Sequence, residues 1–229
     1  MPDRPASEKR RSARASTSET QSVITAIKQQ LKQAHRVSIF VDGKYSFSLT
    51  MDQLLDEKLK KGDQLDDLRI KMLKKLSDEG KLKQRALEWL LTRPHSVREF
   101  RDYMYRKQAE KDLTEAWIEE FSVKKYLDDE SFARWFAENR RRKNKSNRAI
   151  HSELMSKGVS SSVIQSIIVG LDQEDSRSDK TEKEALLLLV NKLRKRPRYQ
   201  DQQKLIQNLL GKGFRYGQIK EALANEEDN

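Results

Sequence analysis

A helix–turn unit that recurs three times in the second two-thirds of the chain constrains the fold more than any other feature of the sequence. Each copy has two apolar residues four positions apart and a Lys three positions later. On a helix, this spacing places the apolar pair on one face and the cation in the last turn. The three copies are Phe100, Met104 and Lys107; Ile150, Leu154 and Lys157; and Leu205, Leu209 and Lys212.

The residue after each Lys predicts where the helix ends. Gly158 and Gly213 hold this position in the second and third copies, and only Gly enters the left-handed conformation after a helix at little cost. In the first copy Gln108 stands there instead, which leaves the form of that turn open.

Further apolar sets lie before and after each copy, so each unit contains three amphipathic helices. The sets before the copies are 86–91, 132–136 and 186–193, and those after them are 117–121, 163–168 and 219–223. Each bundle is small and must bury part of its apolar surface against its neighbour. The sequence therefore predicts three three-helix repeats over residues 79–127, 128–171 and 180–229. Residues 172–179 (DQEDSRSD) lack an apolar anchor and are predicted to form a linker.

The chain before the repeats divides into two parts. Residues 1–19 are basic and polar, which predicts a disordered arm. Residues 20–78 predict a small sheet plus helices, with strands over 23–27, 37–41 and 45–49. Asp42-Gly43 between the last two strands is typical of a hairpin whose two turn residues have positive φ. Thr50 and Gln53 form a capping-box pattern for a helix ending near Gly62, and a second helix is predicted over 65–76.

The predicted fold is therefore mostly α, a tandem array of three three-helix repeats with a small N-terminal β-hairpin/α module. The chain has 229 residues, of which 36% are charged and only 35% hydrophobic, so several small cores are expected rather than one large core. A formal net charge of +11 favours polyanionic partners. There is no Cys and no membrane-length apolar run, so we expect a cytoplasmic protein without disulfides and without membrane contact.

Several residues have the chemistry of a catalytic or metal site, yet their patterns indicate structural roles. The three His residues lack metal-ligand spacing. The carboxylates at 128–130 and the Ser96 to Glu99 pair each stand where a helix begins, which favours capping over acid–base or nucleophilic chemistry. The glycines at 211–217 follow no strand and match no phosphate-binding loop. The sequence predicts no catalytic residue, no cofactor site and no metal site, and therefore no enzyme.

Basic residues cluster in the connections between the first and second helices of the repeats. Residues 140–148 contain six cations and no acidic residue, and 192–198 hold the same place in the third repeat. Such a run is often only a solvated face, but an unneutralised block is relieved by a polyanion. The predicted contact residues for nucleic acid or an acidic protein surface are Arg93, Arg140, Arg141, Arg142, Lys143, Lys145, Arg148, Lys192, Arg194, Lys195, Arg196 and Arg198.

Several of these stretches together resemble the RecX family, regulators of the RecA recombinase. The matching stretches are ALEWLLTRPHSVREF from residue 86, YLDDESFA from residue 126 and IHSELMSKGV from residue 150. The segments FVDG, FSL and LKKGD within 40–63 are similar to the amino-terminal module of that family. The resemblance spans residues 23–225 and departs from the family pattern at Gln108 and at Lys145-Ser146.

The resemblance implies a non-enzymatic protein of DNA repair, homologous recombination and the SOS response. Such a protein lies in the groove of RecA–DNA filaments, bridges neighbouring protomers and alters filament growth, ATP turnover and strand exchange. The expected partners are the RecA filament and single- or double-stranded DNA, and a monomer is expected. Two alternatives stay open: a free-standing nucleic-acid-binding protein and, with less support, an enzyme accessory subunit.

Overall fold

The computed structural model describes residues 21–176 and 182–227, and the chain separates into two compact units, Met1–Arg85 and Ala86–Asn229. The predicted basic arm at 1–19 lies outside the described residues. Within the described ranges, no helix combines the length and the apolar character needed to cross a bilayer.

The first unit contains a four-stranded antiparallel sheet in the order β3-β2-β1-β4. The strands are β1 (Ser22–Gln29), β2 (Arg36–Val41), β3 (Lys44–Thr50) and β4 (Gln64–Leu65). Asp42 and Gly43 connect β2 to β3 with φ values of 50° and 78°, which confirms the predicted hairpin turn. The short strand β4 pairs with β1 through Leu65, a residue that the sequence placed in a helix.

The first helix of this unit starts as predicted, the second starts two residues later than predicted, and both end elsewhere. Thr50 and Gln53 form the capping box of α1 (Met51–Asp56), which is shorter than the predicted helix. The helix expected over 65–76 corresponds to the start of α2 (Asp67–Leu90), so its predicted end was wrong. The helix continues because residues 81–85 (KLKQR) are good helix formers.

Three helix triplets form the rest of the chain, as predicted. The first repeat has the end of α2 followed by α3 (Val97–Arg106) and α4 (Lys111–Val123). The second has α5 (Asp129–Arg142), α6 (Asn147–Ser156) and α7 (Ser161–Ser176), and the third has α8 (Glu182–Arg194), α9 (Gln202–Gly211) and α10 (Tyr216–Glu227). Separate apolar cores fill the second and third repeats. The predicted apolar pairs from Phe100 to Leu209 are all buried.

The middle helices end at the predicted Lys residues. Lys107, Lys157 and Lys212 are the C-caps of α3, α6 and α9. Gly158 and Gly213 then have φ values of 84° and 95°, as expected for helix stops. Gln108 adopts the same left-handed conformation, with φ of 57°, so the first repeat keeps the turn at a cost that Gly avoids.

The predicted linker at 172–179 is corrected in part. Helix α7 continues to Ser176, so 172–176 are helical, and 177–179 lie outside the described residues. The helix extends because Leu171 is buried in the core of the second repeat. The carboxylate of Asp172 also accepts hydrogen bonds from Arg141 and Asn147, which fixes this turn of α7 against the repeat.

Candidate nucleic-acid and filament interface

The polar residues whose types are also found in catalytic sites are helix caps. Asp128 Oδ1 accepts a hydrogen bond from Glu130 N at the start of α5 (3.0 Å), and Ser96 Oγ accepts one from Glu99 N at the start of α3 (3.1 Å). Residues 211–217 comprise the end of α9, the turn at 212–215 and the start of α10. These three interpretations from the sequence are confirmed.

The middle basic block occupies the end of α5, the turn after it and the start of α6. Lys143 caps α5 and Asn144 follows in the left-handed conformation, with φ of 56°. Lys145 N donates to Arg140 O (3.0 Å) and Asn144 N to Arg141 O (2.7 Å), which closes the helix end. The arginines of the last turn are favourably placed against the helix dipole.

Arg140 and Arg141 have partners inside the second repeat. The guanidinium of Arg140 bonds the carboxylate of Glu153 and lies 4.5 Å from the centre of the Phe136 ring. Arg141 bonds the carboxylate of Asp172, 31 residues along the chain. Both cations therefore hold α5 against α6 and α7 and are less available to an external anion.

Three cations of the block have no such partner. Arg142, Lys143 and Arg148 are exposed, and their side chains form no ion pair with any residue in 21–176 or 182–227. They stand within seven residues of sequence, at the end of α5, at its C-cap and at the start of α6. We call Arg142, Lys143 and Arg148 the open cations.

The side chains of two further lysines form hydrogen bonds between the second and third repeats. Lys145 Nζ donates to Gly211 O at the end of α9 (2.8 Å), and Lys212 Nζ donates to Lys143 O at the end of α5 (2.9 Å). Ser146 N donates to Lys212 O (3.0 Å) at the same place. These three bonds fix the connection that carries the open cations.

At the junction between the first and second repeats, the carbonyl of the C-capping Lys again accepts a hydrogen bond from the neighbouring repeat, but the charge is compensated. Ser96 Oγ, at the start of α3, donates to Lys157 O (2.8 Å) at the end of α6. Lys157 Nζ then pairs with Glu99 (2.9 Å), which also accepts from Arg93 (2.9 Å). Although burial alone would raise it, hydrogen bonds from Arg93 and Lys157 hold the pKa of Glu99 below its ordinary value.

The junction between the second and third repeats lacks that carboxylate. Ala149 holds the position that corresponds to Glu99, three residues after the helix cap. Lys212, the counterpart of Lys157, has no carboxylate partner within the described part of the chain. Burial, and then the charge of Lys145, lower the pKa of Lys212. This junction therefore presents an excess of positive charge that an anion would neutralise.

The remaining predicted contact residues also divide into cations with a partner inside the protein and exposed cations. Arg93 is half-buried, bonds Glu99 and lies 5.1 Å from the centre of the Trp135 ring, so it belongs to the first junction. Arg194 donates to Gln200 O (3.2 Å). The other four predicted contact residues are exposed: Lys192 in the last turn of α8, and Lys195, Arg196 and Arg198 on the connection between α8 and α9.

Sequence reasoning missed the acidic partners that separate these two groups of cations. Glu153 lies 13 residues from Arg140 and Asp172 lies 31 residues from Arg141, and both contacts depend on how the helices pack. The carboxylate of Asp172 had been assigned to a linker. For Glu99, the one available signal was its position three residues after a helix cap, which the sequence interpretation assigned to capping alone.

Family models match most of the chain. The model for the regulatory protein RecX N-terminal domain matches residues 22–66. The models for the second and third three-helix domains of RecX match residues 128–167 and 181–223. These boundaries agree with the first unit and with the second and third repeats.

Curated relatives carry the same name. A regulatory protein RecX of Bacillus subtilis is 31% identical over 212 residues, covering 90% of this chain and 79% of the relative. One from Clostridium botulinum is 30% identical and covers 87% and 94%. One from Lactobacillus johnsonii is 34% identical over 67% of this chain, and the chain spans only 56% of that relative's length.

Solved structures share the fold. A crystal structure of regulatory protein RecX superimposes with a TM-score of 0.64 at 24% identity, covering 87% of this chain and 99% of the other. RecX from Lactobacillus salivarius gives a TM-score of 0.52 at 20% identity, covering 66% and 98%.

Proposed function

The chain belongs to the RecX family of regulatory proteins, and from this we propose that it binds in the groove of RecA–DNA filaments and modulates filament growth, ATPase activity and strand exchange. It acts without chemistry of its own, in the cytoplasm, as a monomer that bridges neighbouring RecA protomers.

The observation that carries the proposal is the uncompensated charge at the junction between the second and third repeats. The open cations and Lys212 lie there without carboxylate partners in the described residues, while the equivalent lysine of the first junction is paired with Glu99. Hydrogen bonds to the backbone already fix the connection beside these cations, so contact with phosphate or an acidic surface orders their side chains but not the main chain. A filament offers both kinds of anion in a regular array.

The first experiment compares the affinity of the protein for RecA-coated DNA and for bare single-stranded DNA at matched salt. Tighter binding to the coated DNA is expected because protein and phosphate contacts then add. Equal or tighter binding to bare DNA would instead support the alternative, a free-standing nucleic-acid-binding protein that uses the same cations.

The second experiment replaces the open cations together by Ala. Each lost phosphate contact lowers the slope of log K against log salt by about 0.7–0.9, so a total loss of roughly 2–3 is expected if all three meet phosphate. The control replaces Lys61, Lys71 and Lys74, which are exposed in the first unit and have no ion pair among the described residues. The control removes the same net charge and should leave the slope unchanged.

The third experiment measures the DNA-dependent ATPase of RecA and the length of its filaments as the protein is added. A dose-dependent change is expected, with a weaker effect for the triple Ala variant than for the triple control. Absence of any effect at ratios up to one protein per RecA protomer would contradict the proposed regulation.

A further inference from the structure

The sheet of the first unit has one face in the core and one face that carries a distinct set of side chains. Ile39 and Phe47 pair across β2 and β3 and lie in the core. A register shift between Ile39 and Phe40 then brings Phe40 opposite Tyr45 on the other face. Lys28 lies on that face too, because it pairs with Ser38, two residues before Phe40.

Two aromatic rings and an ammonium group meet on this outer face. The rings of Phe40 and Tyr45 are 6.1 Å apart at 79°, and Lys28 Nζ lies 5.2 Å from the centre of the Phe40 ring. Tyr45 is 54% exposed. The Tyr45 ring is therefore held by an edge-on neighbour while much of its surface stays open to a ligand.

The charged side chains on strands β1, β2 and β3 are all positive. Strands β1, β2 and β3 contain no Asp or Glu, and Lys28 and Lys44 are exposed without an ion pair in 21–176 or 182–227. The nearest carboxylate in sequence, Asp42, already accepts a hydrogen bond from Val23 N (2.9 Å). That bond, with one from Ser22, lowers the pKa of Asp42.

The hairpin that carries Tyr45 is fixed to β1. Val23 N bonds the Asp42 side chain, and Gly43 N donates to Thr25 Oγ1 (3.0 Å). A ring on a fixed hairpin loses little freedom when it stacks on a planar ligand.

We propose that this outer face, with Tyr45 on its edge strand β3, Lys28 on the same face and Lys44 next to Tyr45 in the chain, is a stacking platform for single-stranded nucleic acid. An exposed ring stacks on a base that is not paired in a duplex, and neighbouring lysines hold the phosphates on either side. The proposal rests on the proposed function only in that DNA is part of the complex, and it adds a contact to bases that the open cations do not provide.

The test compares two fluorescently labelled oligomers of equal length: oligo-dT, and an abasic oligomer that has the same phosphates without bases. Replacement Tyr45→Ala should weaken binding of oligo-dT about 5- to 150-fold, the range for one lost base–aromatic stack. Binding of the abasic oligomer should change by less than about twofold, because Tyr45 carries no charge.

Two variants serve as controls. Tyr45→Phe keeps the ring and should bind oligo-dT within about twofold of the unchanged protein, since stacking needs no hydroxyl group. Tyr105→Ala removes a tyrosine that is 84% exposed on α3 and should have no effect on either oligomer. A photo-reactive oligomer containing 5-iododeoxyuridine provides a readout on the unchanged protein, with the cross-link expected on the β2–β3 hairpin.

Three outcomes would overturn the platform. Tyr45→Ala could leave oligo-dT binding unchanged, it could weaken both oligomers equally, or cross-links could form only outside the hairpin. If Tyr45→Ala weakened binding to RecA-coated DNA but to neither oligomer, the outer face would contact protein instead of bases. The triple Ala variant tests the open cations separately. Failure of the platform would therefore leave the proposed function unaffected, and failure of the proposed function would leave the platform unaffected.

Discussion

The replacement Gly213→Ala tests most directly how closely the second and third repeats pack at their junction. Gly213 has φ of +95°, and a Cβ atom built there would lie 2.5 Å from Ala149 Cβ and 2.6 Å from Ser146 Oγ. These neighbours belong to the start of α6, in the adjacent repeat. Neither is the far end of a flexible side chain, so the two repeats would have to separate.

The expected cost has two parts. A left-handed conformation costs a residue with a Cβ about 1–2 kcal/mol. Overpacking at a well-filled contact adds about 1–3 kcal/mol. We therefore expect Gly213→Ala to lower the free energy of unfolding of the third repeat by ~2–5 kcal/mol.

Gly62→Ala isolates the backbone part of that cost. Gly62 also has φ of +95°, but a Cβ there would meet nothing within 4 Å. It should cost only about 1–2 kcal/mol. Native-state hydrogen exchange measures both costs. Exchange of the α9 amides gives the free energy lost in Gly213→Ala, and exchange of the β1 amides gives the free energy lost in Gly62→Ala. Equal costs for the two variants would refute the close contact between α9 and α6.

The remaining predictions concern single side chains. Leu154→Ala should lower the free energy of unfolding by about 2–5 kcal/mol in urea melts, because Leu154 is fully buried; a loss below about 0.5 kcal/mol would contradict the assigned register. Asp128→Ala removes the cap of α5 and should cost about 0.5–2 kcal/mol in the same assay, and an unchanged midpoint would exclude a capping role. Burial, and then the charge of Arg93, lower the pKa of His95, so the unfolded chain binds a proton more readily and stability should fall as pH drops through about 6.5. His95→Phe should reduce that fall in thermal melts between about pH 7.5 and 5.5, and an unchanged dependence of stability on pH would contradict the role of His95.

The parts of the fold that the sequence predicted well depend on local chemistry. Helix ends at Lys157 and Lys212 follow from a Gly at the next position, and the hairpin follows from Asp42-Gly43. In each case a backbone conformation with positive φ selects the residue type, so neighbouring residues suffice for the prediction. The capping box at Thr50 is a signal of the same kind.

The sequence was less informative where contacts join distant residues. The basic block was predicted as one contact surface, but Arg140 and Arg141 bond carboxylates on α6 and α7. The end of α2 was misplaced because nothing local stops a helix at Leu76, and the helix runs on to Leu90. Which cations are free is a property of the packed repeats and not of the run of charges.

The turn at Gln108 has a consequence for the number of repeats. Gly158 and Gly213 each leave room for the helix start of the preceding repeat, and a Cβ at Gly158 would lie 2.8 Å from Arg98 Cβ. Gln108 carries a Cβ at the equivalent position of the first repeat. A unit duplicated ahead of the first repeat could not dock by the same contact unless residue 108 also changed to Gly. Lengthening such an array by gene duplication at this end would therefore require a substitution as well as a copy.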